Sequence, residues 1–270
     1  MTVTVPINHE KSIIQMKKEK TRLSRRDFFR AGTSLAGGVA ITSVLAGYDG
    51  LLFAAGSPNA KGIWYGIGID ISKCIGCGKC ASACKLENSV PQAPFYFRSW
   101  VEQYTLKNDG SIVVESPNGG IDGFRQSVPD KDIFKSFFVP KMCNHCAKSP
   151  CTQVCPVGAT FETEEGIVLV DEKYCIGCRY CVQACPYGCR YIHPEKGTVD
   201  KCTLCFHRLK KGLKPACFEI CPVKARIFGD LNDPGSEINY FLKNHTCMVI
   251  KPNLNTGSKL FYNALSSEVR

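Results

Sequence analysis

Sixteen of the eighteen cysteines in this 270-residue chain fall into four tight groups. "CIGCGKCASAC" holds Cys74, Cys77, Cys80 and Cys84, and "CNHCAKSPCTQVCP" holds Cys143, Cys146, Cys151 and Cys155. "CIGCRYCVQACP" holds Cys175, Cys178, Cys181 and Cys185, and "CTLCFHRLKKGLKPACFEICP" holds Cys202, Cys205, Cys217 and Cys221. The first and third groups are spaced C-x2-C-x2-C-x3-C, a spacing that binds [4Fe–4S] cubes. Three thiolates on one tight loop can each reach one iron of a cube. Gly76 and Gly177 let the backbone curl there without a Cβ clash. The fourth cysteine lies about one helical turn further on, points away from the first cube and is placed to serve a second one. Pro156, Pro186 and Pro222 follow the fourth cysteines and stop the short helix; the first group has Lys85 instead.

Two other thiol chemistries fit less well. A disulfide framework does not call for three thiols within seven residues, twice over. A zinc ribbon uses two C-x2-C pairs around one tetrahedral ion. The fourth group alone would pass for that, but the triplet runs would not. Cys189 and Cys247 remain outside the groups. They are read as small apolar core residues, with a Cys189–Cys247 disulfide as the alternative.

The elements that must hold these loops repeat along the chain. "IWYGIGID" precedes Cys74, "GIVLVD" leads into Cys175, "TVD" into Cys202, and "ARIFGD" follows the last group. Short strand, cysteine loop, short helix and strand recur, which predicts an α+β, ferredoxin-like fold with two dicluster lobes. One lobe is expected from residues 62–86 with 195–230, the other from residues 141–194. Residues 87–140 form an insert with no His and no Cys. In it, Asp109-Gly110 separates two alternating apolar runs, a hairpin signal, and "SPNGGIDGF" reads as a loop. Its expected role is a partner-facing or lid-like surface. Residues 231–270 read as a C-terminal strap: a helix capped by Ser236, then "MVIKPN" and "KLFYNAL" as edge strands or docking arms.

The front of the chain carries a different signal. "SRRDFFR", Ser24 to Arg30, pairs Arg25 and Arg26 with two aromatics and precedes a mild apolar run from Ala31 to Ala55. That is a basic region, an apolar region and small residues in the order of a secretory signal. The twin arginine points to the Tat machinery, which exports folded proteins. Residues 1–56 are therefore expected to be a signal segment, cleaved after Gly56, and the protein to be periplasmic. The two features explain each other, because a protein folded round clusters inside the cell must leave it already folded. No other segment reaches the ~20 apolar residues that a membrane span needs, so any membrane association is expected to run through a partner. The formal charge of +10 carries no nucleic-acid inference. Part of it sits in the signal segment, and each oxidised cluster with its thiolates brings about −2.

From "WYGIGIDISKCIGC" to "KLFY" the chain resembles the four-cluster iron–sulfur subunits of bacterial respiratory complexes. These include the electron-transfer subunits of tetrathionate, thiosulfate, polysulfide and dimethyl sulfoxide reductases, and the iron–sulfur protein of formate-dependent nitrite reduction. The resemblance rests on "CNHC", "PCTQVCPVGATF", "GIVLVDEKYCIGCRYCVQACPYG", "DKCTLCFHRL", "LKPAC" and "ARIFGDLNDP". It implies four [4Fe–4S] clusters forming a wire. One cube takes Cys74, Cys77, Cys80 and Cys221, and its neighbour Cys202, Cys205, Cys217 and Cys84. A third takes Cys143, Cys146, Cys151 and Cys185, and a fourth Cys175, Cys178, Cys181 and Cys155. In some relatives a Trp stands at the position of Cys178 and gives a three-iron cluster; a cysteine there implies four cubes. The resemblance also implies two partners. One is a multi-helix membrane subunit that reacts with quinol; the other is a catalytic molybdopterin oxidoreductase subunit or a multihaem cytochrome.

The residues left over do not build an active site. No Ser-His-Asp set, paired carboxylates, phosphate loop or dinucleotide fingerprint is present. His145 and His207 lie inside cysteine loops and are expected to pack or hydrogen-bond there. The chain therefore reads as an electron-transfer subunit and not as an enzyme, with a free-standing periplasmic polyferredoxin shuttle as the alternative. Lys79, Lys85, Arg179, Lys201, Arg208 and Lys210 lie near the cysteines and are expected to favour the reduced, more negative clusters.

Overall fold

A strand enters and a strand leaves each cysteine group in the computed structural model, which describes residues 62–93, 95–125 and 127–269. The expected signal segment lies outside the described residues. β1 (Tyr65–Asp70) enters group one; β2 (Ser99–Lys107) leaves it and turns back as β3 (Ile112–Glu115). β4 (Ile133–Met142) and β5 (Thr160–Glu162) flank group two. β6 (Val168–Val170) and β7 (Arg190–Ile192) flank group three, and β8 (Val199–Lys201) and β9 (Arg226–Asp230) flank group four. Each leaving strand pairs antiparallel with the strand entering the next group: β2 with β4, β5 with β6, β7 with β8. β9 returns to pair with β1, which closes the circuit. Short helices follow the loops: α1 (Lys79–Glu87), α2 (Pro150–Gln153), α3 (Tyr180–Gln183), then α4 (Phe206–Leu209) and α5 (Ala216–Glu219) in group four. The result is a small mixed helix-and-strand chain of ferredoxin type.

Proline decides helix length. α2 and α3 stop within one turn, ahead of Pro156 and Pro186, whereas α1 runs on through Lys85 to Glu87. Lys85 folds back into the interior. Its ammonium donates to the carbonyls of Pro91, Gln92 and Ala93 at 2.9, 3.3 and 3.1 Å, and sits 4.2 Å from the centre of the Phe97 ring. The charge is thus used to tie down the segment that leaves the helix.

The insert forms the expected hairpin, with Gly110 at φ 82° and Asp109 Oδ1 accepting from the Ser111 amide at 2.8 Å. "SPNGGIDGF" holds a 3-10 turn over Pro117–Gly120. The β2–β4 pair is more than a surface addition. Val101, Tyr104, Val139 and Met142 are buried in one continuous core with Ile67, Cys189, Leu204, Leu260 and Tyr262. Phe138 of β4 stands 2.6 Å from where a Cβ on Gly76 would lie, so the insert packs on the first cysteine loop.

The C-terminal segment differs from expectation. α6 (Glu237–Asn244) starts at Ser236, whose hydroxyl accepts from the Asn239 amide, as expected. β10 (Cys247–Met248) is an edge strand, but β11 (Leu260–Asn263) is neither an edge nor an arm. It lies between β10 and β1, parallel to β1, with Leu260, Phe261 and Tyr262 buried. A continuous apolar run such as Leu-Phe-Tyr suits a strand covered on both faces.

Candidate metal centres

All four loops share one backbone device. The residue before the second cysteine has positive φ in each: Gly76 69°, His145 43°, Gly177 67° and Leu204 53°. Glycine accepts this conformation freely. His145 and Leu204 are held in it by burial, and His145 also by a hydrogen bond, its Nδ1 accepting from the Val168 amide at 3.1 Å. Burial, then the charges of Lys201, Lys259 and Arg190, hold the His145 imidazole well below its usual range. The ring is neutral, with its proton on Nε2.

The fold brings thiols from different groups together. α1 packs on α5, and α2 on α3. Burial, then the neighbouring thiols of Cys217, Cys202 and Cys205, push the Cys84 thiol well up. Burial, with Cys80 and Cys221 close by, pushes Cys74 up to about 11 against a hydrogen bond from the Gly76 backbone. Burial, with Cys143, Cys151 and Cys185 around it, pushes Cys146 up to about 12. Cys181 is raised by burial, with Cys151 and Cys175 as neighbours. Cys77 and Cys178 are exposed, and Cys155 is half-buried. Packing mutually repelling thiolates inside a protein is unfavourable unless a cationic centre binds them.

The turns after α2, α3 and α5 aim backbone N–H groups at the fourth cysteine of groups two, three and four. Burial raises Cys155, but the amides of Thr160, Val157 and Ala159 outweigh it and leave the thiol lowered. The Cys189 side chain and the amides of Cys189 and Tyr187 draw Cys185 down to about 5. Ala225 N donates to Cys221 Sγ at 3.3 Å. Further amides reach Cys202 from Leu204 (3.3 Å) and Cys175 from Val199 (3.4 Å). Cys84, with no proline after it, has a side-chain donor instead. Asn88 Nδ2 lies 3.7 Å from Cys84 Sγ and 3.6 Å from Cys205 Sγ. Asn88 is held by Arg98 (3.1 Å), itself in a two-pronged pair with Asp200.

The donor set fits iron–sulfur clusters. Asn144 Nδ2, His145 Nε2 and Arg226 Nε are buried with no partner among the protein's atoms; cluster sulfur is an acceptor of the right kind. Among the described residues, no three His, Cys, Asp or Glu side chains converge tightly enough to hold a single metal ion.

Of the six basic residues expected beside the clusters, only Lys85 and Lys201 are buried. Lys201 Nζ donates to the carbonyls of Val168 and Cys202. Lys79, Arg179 and Lys210 are exposed, and Arg208 is half-buried and paired with Glu87 and Glu219. His207 is exposed beside Glu87. Sequence reasoning missed Asn88, Arg190 and Arg226, which touch cysteine sulfur directly. The two arginines lie five residues past Cys185 and Cys221, a shared offset that the repeat made visible. Cys189 and Cys247 are both free thiols, with Cys189 buried and its Sγ 3.2 Å from Met142 O.

Fold and thiol arrangement together define a ferredoxin-type protein with several iron–sulfur centres. Residues 73–159 and residues 134–231 each match a 4Fe-4S dicluster domain. Two such domains and eighteen cysteines fit four [4Fe–4S] clusters. A tetrathionate reductase subunit of Salmonella typhimurium is 44% identical over 209 residues, covering 77% of this chain and 74% of that one. Protein NrfC of Escherichia coli is 38% identical over 240 residues, covering 88% and 94%. A polysulfide reductase component of Wolinella succinogenes is 37% identical over 198 residues, covering 73% and 92%. The protein belongs to the family of iron–sulfur electron-transfer subunits of reductase complexes. Among the described residues, no helix is long and apolar enough to cross a membrane.

Proposed function

We propose that this protein is a periplasmic electron-transfer subunit carrying four [4Fe–4S] clusters. It relays electrons between a membrane subunit that reacts with quinol or quinone and a catalytic subunit, either a molybdopterin oxidoreductase or a multihaem cytochrome. It is not itself the enzyme. The observation that carries the reading is the convergence of thiols from different loops onto shared positions, nine of the sixteen grouped cysteines being buried. The ligand sets are Cys74, Cys77, Cys80 and Cys221; Cys202, Cys205, Cys217 and Cys84; Cys143, Cys146, Cys151 and Cys185; and Cys175, Cys178, Cys181 and Cys155. The first two sets form one lobe and the last two the other. Their thiol neighbours also run across the sets: Cys202 beside Cys143, Cys217 beside Cys80. That continuity supports a wire.

When bound, each cluster supplies one-electron storage. The protein's own residues fix the thiolates, keep water from the buried ones and set the local charge. The twin-arginine segment supports export by the Tat machinery in the folded state.

The test is anaerobic purification of the native protein from membranes in mild detergent, with iron assay and mass spectrometry of what accompanies it. About sixteen irons, together with a multi-helix subunit and a molybdopterin or multihaem subunit, is the expected result. A lone protein with the same iron content would replace the complex with a free polyferredoxin shuttle. Zinc, or no metal, would overturn the reading.

A further inference from the structure

Two buried arginines occupy equivalent places in the two halves of the molecule. Arg190 is the first residue of β7 and Arg226 the first of β9, each five residues past the fourth cysteine of its group. Arg226 Nη2 lies 3.3 Å from Cys80 Sγ, and Nη1 lies 3.7 Å from Cys217 Sγ. Arg190 Nη2 lies 2.8 Å from Cys151 Sγ, and the same side chain hydrogen-bonds Cys181. Each arginine therefore bridges the third cysteines of two groups. Each is anchored by a hydroxyl at the start of the strand that leaves the other group: Arg226 by Ser99 at 2.8 Å, Arg190 by Thr160 at 3.2 Å. Ser99 opens β2 and Thr160 opens β5, so the correspondence holds for every member of the set.

Neither guanidinium has a carboxylate partner among the described residues, although Arg98 and Arg208 do. A buried, unpaired cation is strongly unfavourable. An arginine cannot escape by losing its proton. Both side chains are more than nine-tenths buried, and Arg226 Nε has no protein partner. What faces them is sulfur.

We infer that Arg190 and Arg226 are the fixed internal counterions of the clusters, one for each pair, and that each raises the reduction potentials of the two cubes it bridges. This rests on the four-cluster reading and its ligand sets. Arg226 serves the cubes held by Cys80 and Cys217, and Arg190 those held by Cys151 and Cys181. Reducing a cube adds one electron from an external donor and one negative charge, with no proton taken up, because the guanidinium stays charged throughout. The contribution is therefore independent of pH. Both residues are positioning residues: they act on the clusters through the thiolates and their field.

The test is an EPR-monitored redox titration of the purified full-length protein, with iron assay, for wild type and for Arg226→Gln, Arg226→Lys, Arg190→Gln and Arg190→Lys. In Arg226→Gln two of the four cubes become at least about tenfold harder to reduce, about 59 mV for one electron. The other two stay unchanged. Arg190→Gln shifts the complementary two, and the lysine variants stay near wild type. The shifts are the same at about pH 6.5 and about pH 8.5, two values spanning neutrality on the far side of any arginine titration. Unchanged potentials with full iron content, or both glutamine variants shifting the same cubes, would overturn the inference. If a glutamine variant loses iron, its lysine counterpart decides: retained iron at wild-type potentials supports the counterion, and loss in both overturns it. Fewer than about sixteen irons in wild type would instead sink the four-cluster reading on which the inference stands.

Discussion

The Asn88 side-chain amide lies 3.6 Å from the sulfur of Cys205, a residue 117 positions away. Three of the four groups surround their fourth cysteine with backbone amides from a proline-led turn. The first has no such turn, and one asparagine serves both Cys84 and Cys205. Arg98 fixes its orientation by binding Oδ1, which leaves Nδ2 to face the sulfurs. Asn88→Ala removes donors that favour the more negative, reduced cluster, so the potential of the cube bound by Cys84 and Cys205 falls. The loss of its hydrogen bonds costs about 1–3 kcal/mol. A redox titration beside a thermal melt checks both, and a melt shift with all potentials unchanged would refute the tuning role.

Gly177 and Gly188 separate backbone strain from steric clash. Both have positive φ, 67° and 64°. A Cβ on Gly177 would stand 2.5 Å from the carbonyl oxygen of Gly197, whereas one on Gly188 would meet nothing within 4 Å. Gly188→Ala should cost only the left-handed penalty of about 1–2 kcal/mol. Gly177→Ala should cost clearly more and release iron from the third group's loop. Denaturant midpoints and iron content measured on the two variants give the comparison; equal losses would contradict it.

Asp70 gives the fold an acid limit. Burial pushes its carboxyl up, but Ser72 Oγ (2.6 Å), Asn263 Nδ2 (3.0 Å) and the Lys73 ammonium (3.2 Å) outweigh burial and hold it below its ordinary value. A depressed carboxyl contributes stability that is complete above its unfolded value of about 3.9. That stability is lost as pH falls through the lower folded value. Asp70→Asn should therefore be less stable than wild type at neutral pH, with a shallower loss below about pH 4. Circular dichroism melts across that range measure the slope, and parallel curves would argue against the assignment.

Lys201 and Lys210 test which charges near the clusters matter. Lys201 is buried with its ammonium on two carbonyls, one of them that of Cys202 at 2.6 Å. Lys201→Met leaves those carbonyls short of a donor, at about 1–3 kcal/mol, and lowers the potential of the cube bound by Cys202. Lys210 is exposed, 3.9 Å from Glu165. Lys210→Ala should change stability by less than about 0.5 kcal/mol and leave every potential where it was. Thermal melts and redox titration of both variants check this, and a shift from Lys210→Ala would contradict it.

The parts of the molecule governed by local rules were legible in the sequence. The cysteine spacings, the Asp109-Gly110 hairpin and the Ser236 cap depend on neighbours a few residues apart, and each stands where the pattern put it. The parts set by distant contacts were not. "KLFYNAL" reads as a peripheral strand until β1 is seen to need a parallel neighbour. Lys85 reads as a charge that favours a reduced cluster, because nothing nearby in the sequence shows three carbonyls closing over it. Counting basic residues near the cysteines gave weight to side chains that the fold turns toward solvent. Arg226 reaches Cys80 across 146 positions, beyond any local pattern.

The circuit of paired strands also sets an order of assembly. β5 with β6 and β7 with β8 are short local hairpins, so the two inner cysteine groups can be brought together soon after they are made. β1 has no such neighbour: its partners are residues 226–230 and 260–263. Pairings of that range are slow, because most of the intervening sequence must be organised first. The first thiols to be synthesised are thus among the last to be enclosed. While the nascent polypeptide waits for its far end, the loop from Cys74 to Cys84 is the stretch most open to oxidation or to a stray metal.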